Sequence, residues 1–227
     1  MEHDTLPTRW ARLWKLHGSI NWFRTNDNYI ERRAPDLGKG DQQMIYPSHL
    51  KYDQSRRFPY LAMQDRLKSF LAPSHGRSPS VLITCGYSFG DQHLNEVILQ
   101  SLRGNPSAVC YALLFGSKNQ PAYNEARNCA LKQPNLQILA EDGAIVNTFD
   151  SQWSSEIQEH HSLKEFIVHK KLSPQVNGAP EIEENQFTLG DFASFCRFLL
   201  YPSGQNQVLQ LESKASLTTA ASHASAS

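Results

Sequence analysis

Apolar positions in the middle of the chain follow two periods, one typical of buried strands and one of amphipathic helices. Short, nearly continuous apolar runs begin at Val81, Ala108 and Leu136, and each run ends in a turn of glycine or polar residues. Apolar residues at helical spacing fill the stretches before and between these runs. The predicted order is helix 59–71, a strand from Val81 to the turn at Gly86, a helix from Asp91, strand 108–115, helix 121–132 and strand 136–139.

Strands that alternate with helices in this way are expected to run parallel, because each helix returns the chain to the same edge of the sheet. The apolar strands are nearly continuous rather than alternating, which is typical of a sheet covered on both faces. The pattern therefore predicts an α/β fold with a doubly wound, Rossmann-like parallel sheet.

The N-terminal part offers one candidate functional residue. Trp14-Lys15-Leu16 predicts a short buried strand that would place His17 at its carboxyl end, beside Gly18. Open α/β sheets present ligand-binding side chains at such strand ends. A hydrogen-bonded turn histidine without a chemical role is the alternative.

The C-terminal part has weaker patterns. Helices are predicted at 153–171 and 192–201, with a Pro-containing acidic linker at 173–186 between them. The last residues are low-complexity Ser, Ala and Thr. The expected organisation is a main domain at 10–150, a helical C-terminal extension at 151–202 and a disordered Ser/Ala-rich tail at 203–227.

The stretch Val81–Ile98 combines a strand, a glycine-rich turn and a helix start. Gly86-Tyr87-Ser88-Phe89-Gly90 forms the turn, and Asp91 stands at the expected helix N-cap. A turn of this kind at a helix N-terminus suits an anion such as a phosphate, because backbone N–H groups and the helix dipole point the same way. The same letters also spell G-x-S-x-G, the nucleophile elbow of serine hydrolases.

The hydrolase alternative would make Ser88 an acyl-transfer nucleophile, with His17-Gly18 as an oxyanion-hole loop. Its partners in chain order would be Asp142 or Asp150, followed by His160 or His161. Three observations weaken it. The helix after the turn begins with an acidic residue, the partner histidines lie inside a predicted helix, and about two strands at most fit upstream of Ser88.

Composition limits the other classes of function. Lys plus Arg and Asp plus Glu both number 22, so the net charge gives no reason to expect nucleic acid or a membrane surface as a partner. The four cysteines contain no C-x-x-C pair, so no cysteine zinc site and no disulfide framework is expected. No apolar run approaches the length of a membrane span. We expect a soluble protein of a reducing, cytoplasmic compartment.

Four segments in order suggest a family. They are Lys15-Leu16-His17-Gly18-Ser19-Ile20-Asn21-Trp22, Ile45-Tyr46-Pro47-Ser48, the helix 59–71 and VLITCGYSFGDQHLNEVI. Together they resemble the C-terminal half of the sirtuin-like NAD-consuming domains of bacterial proteins, many of which are anti-phage defence components. The resemblance covers about residues 10–150.

The resemblance implies a role for several residues. His17 matches the catalytic histidine, which contacts the nicotinamide ribose and acts as a base or an orienting group. Gly18, Gly86 and Ser88 match positions that line the NAD site, and Asp91 and Asn95 match polar positions after the turn that order the loop. Phe115-Gly116 matches the region that contacts adenosine. NAD is thus expected as the substrate.

Departures from the family pattern shape the expected activity. The chain shows no Gly-Ala-Gly phosphate loop and no Thr-Asn-Tyr-Asp-like segment, so the resemblance implies a split or truncated domain that lacks its N-terminal strands. Activity would then need a missing segment or a partner chain. The paired-cysteine zinc module of deacylating sirtuins is also absent, which favours NAD hydrolysis by a glycohydrolase, or NAD binding. Beside the NAD-related activity and the serine hydrolase, a third interpretation is a non-catalytic subunit of a larger assembly. The sequence leaves the oligomeric state open.

Overall fold

The computed structural model describes residues 13–27, 29–33, 42–44, 60–72, 79–153, 168–172 and 183–200. The strands are β1 Gly18–Arg24, β2 Ile30–Arg32, β3 Gln42–Met44, β4 Val81–Cys85, β5 Val109–Leu113, β6 Leu136–Ala140, β7 Gly143–Val146, β8 Phe149–Gln152, β9 Val168–Leu172 and β10 Glu183–Phe187. The helices are α1 Tyr60–Leu71, α2 Gln92–Gly104, α3 Asn124–Ala130, which follows a 3-10 turn at Pro121–Tyr123, and α4 Phe192–Leu200.

A five-stranded mixed sheet with the order β4-β5-β6-β7-β8 is the centre of the fold. Strands β4, β5 and β6 run parallel, joined by α2 and then α3, as the sequence predicts. Strands β7 and β8 are antiparallel to their neighbours, because the two-residue connections before them are too short for a crossover. The α/β, Rossmann-like fold class is confirmed, with an antiparallel extension at one edge.

The main core lies between one face of this sheet and helices α1, α2 and α3. Alternate strand residues supply the sheet side of this core, as expected for a pleated strand. The fully buried members include Leu71, Leu102, Cys110, Ala112, Leu136, Ile138 and Ile145. Cys110 is a free thiol, and burial raises its pKa to about 12.

Helix α4 and the turn before it cover the other face near the carboxyl ends of the strands. Leu113 of β5 packs against Phe187 and Leu189, with Phe195 and Phe198 beside them. Gly190 passes so close to the Leu114 carbonyl that a Cβ atom there would overlap it. Asp191 caps α4, since its carboxylate accepts hydrogen bonds from the backbone N–H and the hydroxyl of Ser194, both at 2.9 Å.

The strand predicted at Trp14-Lys15-Leu16 is wrong, because the structure starts β1 at Gly18. The preceding residues form a turn instead, in which the Gly18 N–H donates to the Lys15 carbonyl at 3.0 Å. Gly18 has a φ of +80°, which a β-branched or bulky residue would adopt only under strain. His17 therefore precedes the strand rather than ending one. Strand β1 lies in a separate antiparallel sheet with the order β2-β1-β3.

The helix predicted at 153–171 is wrong at its end, where the structure has β9 instead. Strand β9 pairs antiparallel with β10, which overlaps the end of the predicted linker, so a ladder of backbone hydrogen bonds overrides a weak helical pattern. Residues 154–167, the histidines His160 and His161, and the tail at 203–227 lie outside the described residues. The last predicted helix is confirmed as α4. Among the described helices, none combines the length and apolarity needed to cross a bilayer.

Candidate functional site

The first candidate side chain, His17, lies in the turn that leads into β1. Its side chain is 32% exposed, so it is accessible to a ligand while still held by protein contacts. On the strand that follows, Ser19 is buried and its hydroxyl lies 2.7 Å from Lys15 Nζ and 2.6 Å from Asn21 Oδ1. These bonds tie the two sides of the turn together and fix the position of His17.

The second group comes from the start of α2, where Asp91 and His93 are both buried. His17 Nε2 lies 3.3 Å from Asp91 Oδ2 and 3.3 Å from His93 Nε2. His93 Nδ1 in turn contacts Asp91 Oδ1. The fold thus assembles a closed triangle of two imidazoles and one carboxylate, which we call the His-Asp-His cluster.

The contacts within the His-Asp-His cluster hold the His17 ring in place. His93 Nδ1 lies against one carboxylate oxygen of Asp91, and the other oxygen lies 3.3 Å from His17 Nε2. In the contact between the two Nε2 atoms either ring can be the donor, depending on its tautomer. His17 thus contacts two buried side chains, which restrict the movement of its ring.

The Asp91 carboxylate faces the histidines rather than the helix backbone. Asp91 is the N-cap of α2, as predicted, yet its side chain makes no capping hydrogen bond. A helix N-terminus without a side-chain cap is a kind of site at which proteins bind anions, so an anion site at α2 stays a prediction.

Three buried or half-buried residues order the turn between β4 and α2. Asn95 Nδ2 donates to the Phe89 carbonyl at 2.7 Å, and the Tyr87 hydroxyl donates to Asn95 Oδ1 at 2.7 Å. Phe89 has a φ of +59°, a strained value for a bulky residue, so these bonds hold a costly conformation. Burial, helped by the nearby charge of Asp91, raises the pKa of Tyr87, so the hydroxyl stays protonated as a donor.

Gly86 and Ser88 lie on the accessible side of the same turn. Gly86 has a φ of +72°, and a Cβ atom there would meet nothing within 4 Å, so the backbone is open to a ligand. Ser88 is half-buried, and no histidine among the described residues forms a hydrogen bond with it. The strained residue of the turn is Phe89 and not Ser88, unlike a nucleophile elbow.

The carboxylates of the hydrolase alternative have other partners. Asp142 accepts hydrogen bonds from the Ser117 hydroxyl at 2.6 Å and from the Lys118 N–H at 2.8 Å. Asp150 pairs with Lys118 and Arg127. Both residues hold loops and strands of the sheet together.

A cleft of about 200 Å³ opens at the carboxyl ends of β5 and β6. Phe115 and Gly116 line it, together with the carboxylate residues Glu141 and Asp191. Phe115 is 63% exposed and offers an aromatic surface for stacking. The cleft and the turn after β4 lie at the same edge of the sheet, because the three strands are parallel.

Sequence reasoning assigned no role to His93. The Asp91-x-His93 spacing within the turn motif could have pointed to His93. Only the fold, however, brings the distant His17 into contact with His93. The structure brings His17 and Asp91 into contact at the start of α2, and Asn95 of the same helix holds the preceding turn. Gly18 begins β1 directly after His17, and Gly86 and Ser88 lie on the turn between β4 and α2. A ligand-binding role for each of these residues stays a prediction.

A comparison with protein families finds a match that contains the His17 part of the site. A family model described as a SIR2-like domain matches residues 1–139. This range includes the turn at His17, the turn between β4 and α2, and the His-Asp-His cluster. Proteins with curated functions show no match to this chain.

Proposed function

The chain belongs to the SIR2-like domain family, whose members use NAD as a substrate, and we propose that it binds NAD at the His17 site and cleaves the nicotinamide–ribose bond. In this reaction the bond electrons leave with nicotinamide, and water attacks the ribose carbon. The products are nicotinamide, ADP-ribose and a proton. The ribose passes through an oxocarbenium-like state, as in glycoside hydrolysis.

One observation carries this proposal: an accessible histidine is held by a buried His–Asp pair at the N-terminus of a helix. His17 would hold a hydroxyl of the nicotinamide ribose and receive a proton from it or from the attacking water. Asp91 and His93 would fix the His17 ring for this task. The N-terminus of α2 would bind the diphosphate.

The cleft at Phe115 and Gly116 supports a place for the adenosine end. An exposed aromatic ring can stack on the adenine base, and the carboxylates of Glu141 and Asp191 can accept hydrogen bonds from ribose hydroxyls. Gly86 and Ser88 lie between this cleft and His17 in the proposed arrangement.

Hydrolysis is favoured over protein deacylation by the cysteines. The four cysteines lie on β4, β5, α3 and α4, far apart along the chain. The zinc module of deacylating sirtuins needs cysteines paired at short spacing in the sequence, and this chain has no such pair.

The open edge of β4 supports a contribution from another segment or a partner chain. Among the described strands, β4 pairs with β5 alone, and Val81 and Ile83 are 51% and 44% exposed. Apolar side chains on an unpaired edge suit a further strand. We propose that such a strand completes the NAD site. We also propose that the protein acts in bacterial anti-phage defence. Phage plating on cells that carry the gene with its neighbours, wild type or His17→Ala, tests the defence role.

The proposed activity is tested by nicotinamide release from NAD, measured with His17→Ala beside the wild type. The assay uses the full chain, alone and with the products of neighbouring genes. His169→Ala is a matched control, because His169 lies on β9 in another sheet. We expect His17→Ala to lose at least about 100-fold in rate, the usual contribution of a general acid–base group. Equal rates for wild type and His17→Ala would reject the catalytic role.

Binding is tested separately by calorimetric titration with ADP-ribose. We expect binding by the wild type, weaker binding by Phe115→Ala and unchanged binding by the His169→Ala control. An absence of binding by the wild type, both alone and with its neighbours, would reject the NAD site.

A further inference from the structure

The His-Asp-His cluster has the composition of a metal site. One ligand atom from each of its three side chains lies within 4.8 Å of the others, and two of the three residues are buried. The cluster joins the turn before β1 to the start of α2, so two separate segments of the chain supply the ligand atoms.

The distances within the cluster fit a tetrahedral ion. Two nitrogens that bind zinc at 2.0–2.1 Å in tetrahedral geometry lie about 3.4 Å apart. The Nε2 atoms of His17 and His93 are 3.3 Å apart, and Asp91 Oδ2 is 3.3 Å from His17 Nε2.

Burial favours a positive charge at this point. Asp91 is buried beside His93, and a buried carboxylate is costly unless a positive charge lies next to it. A metal ion held by Asp91 and the two imidazoles would supply that charge.

We propose that His17, Asp91 and His93 bind a single divalent transition-metal ion of the zinc class. Two imidazoles and a carboxylate favour such an ion over Mg²⁺ or Ca²⁺, which prefer oxygen ligands. Three protein ligands leave a fourth position open at the exposed side of His17. The ion and the proton compete for His17 Nε2, so metal affinity falls as the pH is lowered.

The site does not depend on the proposed NAD activity, and its test uses no nucleotide. The full chain is stripped with EDTA and titrated with Zn²⁺ by calorimetry, and the bound metal is measured by elemental analysis. Co²⁺ is used as a second probe, because its visible absorption reports a tetrahedral site. We expect one ion per chain and at least about tenfold weaker binding in His17→Gln and in His93→Gln.

Two controls keep the result interpretable. His169→Gln removes a histidine from another sheet and should bind like the wild type. His17→Gln changes an accessible turn residue, so it should keep its circular dichroism spectrum even if the buried His93→Gln variant does not fold. Failure of the wild type to bind Zn²⁺, or equal Zn²⁺ affinity in the wild type and His17→Gln, would overturn the proposal.

Discussion

The Nε2 atoms of His17 and His93 lie 3.3 Å apart, although 76 positions separate the two residues in the chain. The contact joins a turn of the small antiparallel sheet to the first turn of α2, which follows the main sheet. His93 is buried and bound to Asp91, so it acts as the fixed partner, while His17 is the accessible one. His93 is therefore a positioning residue for the chemistry proposed at His17.

Replacing His93 by Gln should lower the rate of nicotinamide release without a comparable change in NAD affinity. The Gln side chain cannot reproduce the paired contacts to Asp91 and His17, so the His17 ring loses its fixed orientation. We expect kcat to fall about tenfold or more, the pH profile of kcat to shift and KM to change less than threefold. His169→Gln is the control, and a change confined to KM would contradict the positioning role.

The turn between β4 and α2 should lose stability when its hydrogen bonds are removed. Tyr87→Phe deletes the hydroxyl that donates to Asn95, and Asn95→Ala deletes the donor to the Phe89 carbonyl as well. We expect the free energy of unfolding in urea to fall by about 1–2 kcal/mol for Tyr87→Phe and by about 2–3 kcal/mol for Asn95→Ala. The double variant should lose less than the sum, because the two residues share a bond. Additive losses would show that they act independently.

The sequence predicts the parallel part of the fold well because local signals are strong there. The apolar runs that begin at Val81, Ala108 and Leu136 alternate with stretches whose apolar residues have helical spacing. All three strands form as predicted. Strand β8 was not predicted, since Phe149–Gln152 carries no apolar pattern and pairs only through its backbone with β7. The contact between His17 and His93 was beyond sequence reasoning, because it depends on how two sheets approach each other.

The free energy of unfolding should fall at acid pH as Asp142 becomes protonated. Burial alone would raise the pKa of Asp142, but hydrogen bonds from Ser117 and the Lys118 backbone, with the Lys118 charge, lower it below the ordinary value. A lowered folded pKa stabilises the protein above the unfolded pKa of about 3.9, and this contribution is lost as the pH falls through the folded value.

We expect the urea midpoint of the wild type to fall more steeply below about pH 4 than that of Asp142→Asn, which cannot titrate. Urea unfolding at pH 7 and at several values down to pH 3 measures the difference. Parallel pH profiles for the two proteins would contradict the role of Asp142.

Lys118 and Arg127 both pair with Asp150, but they should contribute unequally to stability. Lys118 is 2% exposed, and its Nζ donates to the Ser151 carbonyl at 3.2 Å and lies 3.4 Å from Asp150 Oδ1. Arg127 pairs with Asp150 from a side chain that is 30% exposed. We expect Lys118→Met to cost about 1–3 kcal/mol and Arg127→Met about 0–1 kcal/mol in urea unfolding. A larger loss for Arg127→Met than for Lys118→Met would mean that the stability contributed by the Asp150 ion pairs does not increase with the burial of the cation.

Two glycines, one in a crowded position and one in an open position, test how α4 is attached to the sheet. A Cβ atom at Gly190 would overlap the Leu114 carbonyl, whereas one at Gly104, in the last turn of α2, would meet nothing within 4 Å. Gly190→Ala must therefore push the turn before α4 away from β5 and separate Leu189 from Leu113, which pack together. Gly104→Ala only restricts the unfolded chain and improves helix propensity.

We expect Gly190→Ala to reduce the free energy of unfolding by about 2 kcal/mol or more, as for other strained core changes, and Gly104→Ala to raise it by up to about 1 kcal/mol. Urea unfolding measures both variants under the same conditions. Since Gly190 and Asp191 also line the cleft at Phe115, Gly190→Ala should weaken ADP-ribose binding while Gly104→Ala leaves it unchanged. If Gly190→Ala were as stable as the wild type, the close approach of this turn to β5 would be wrong, and with it the shape of the proposed adenosine cleft.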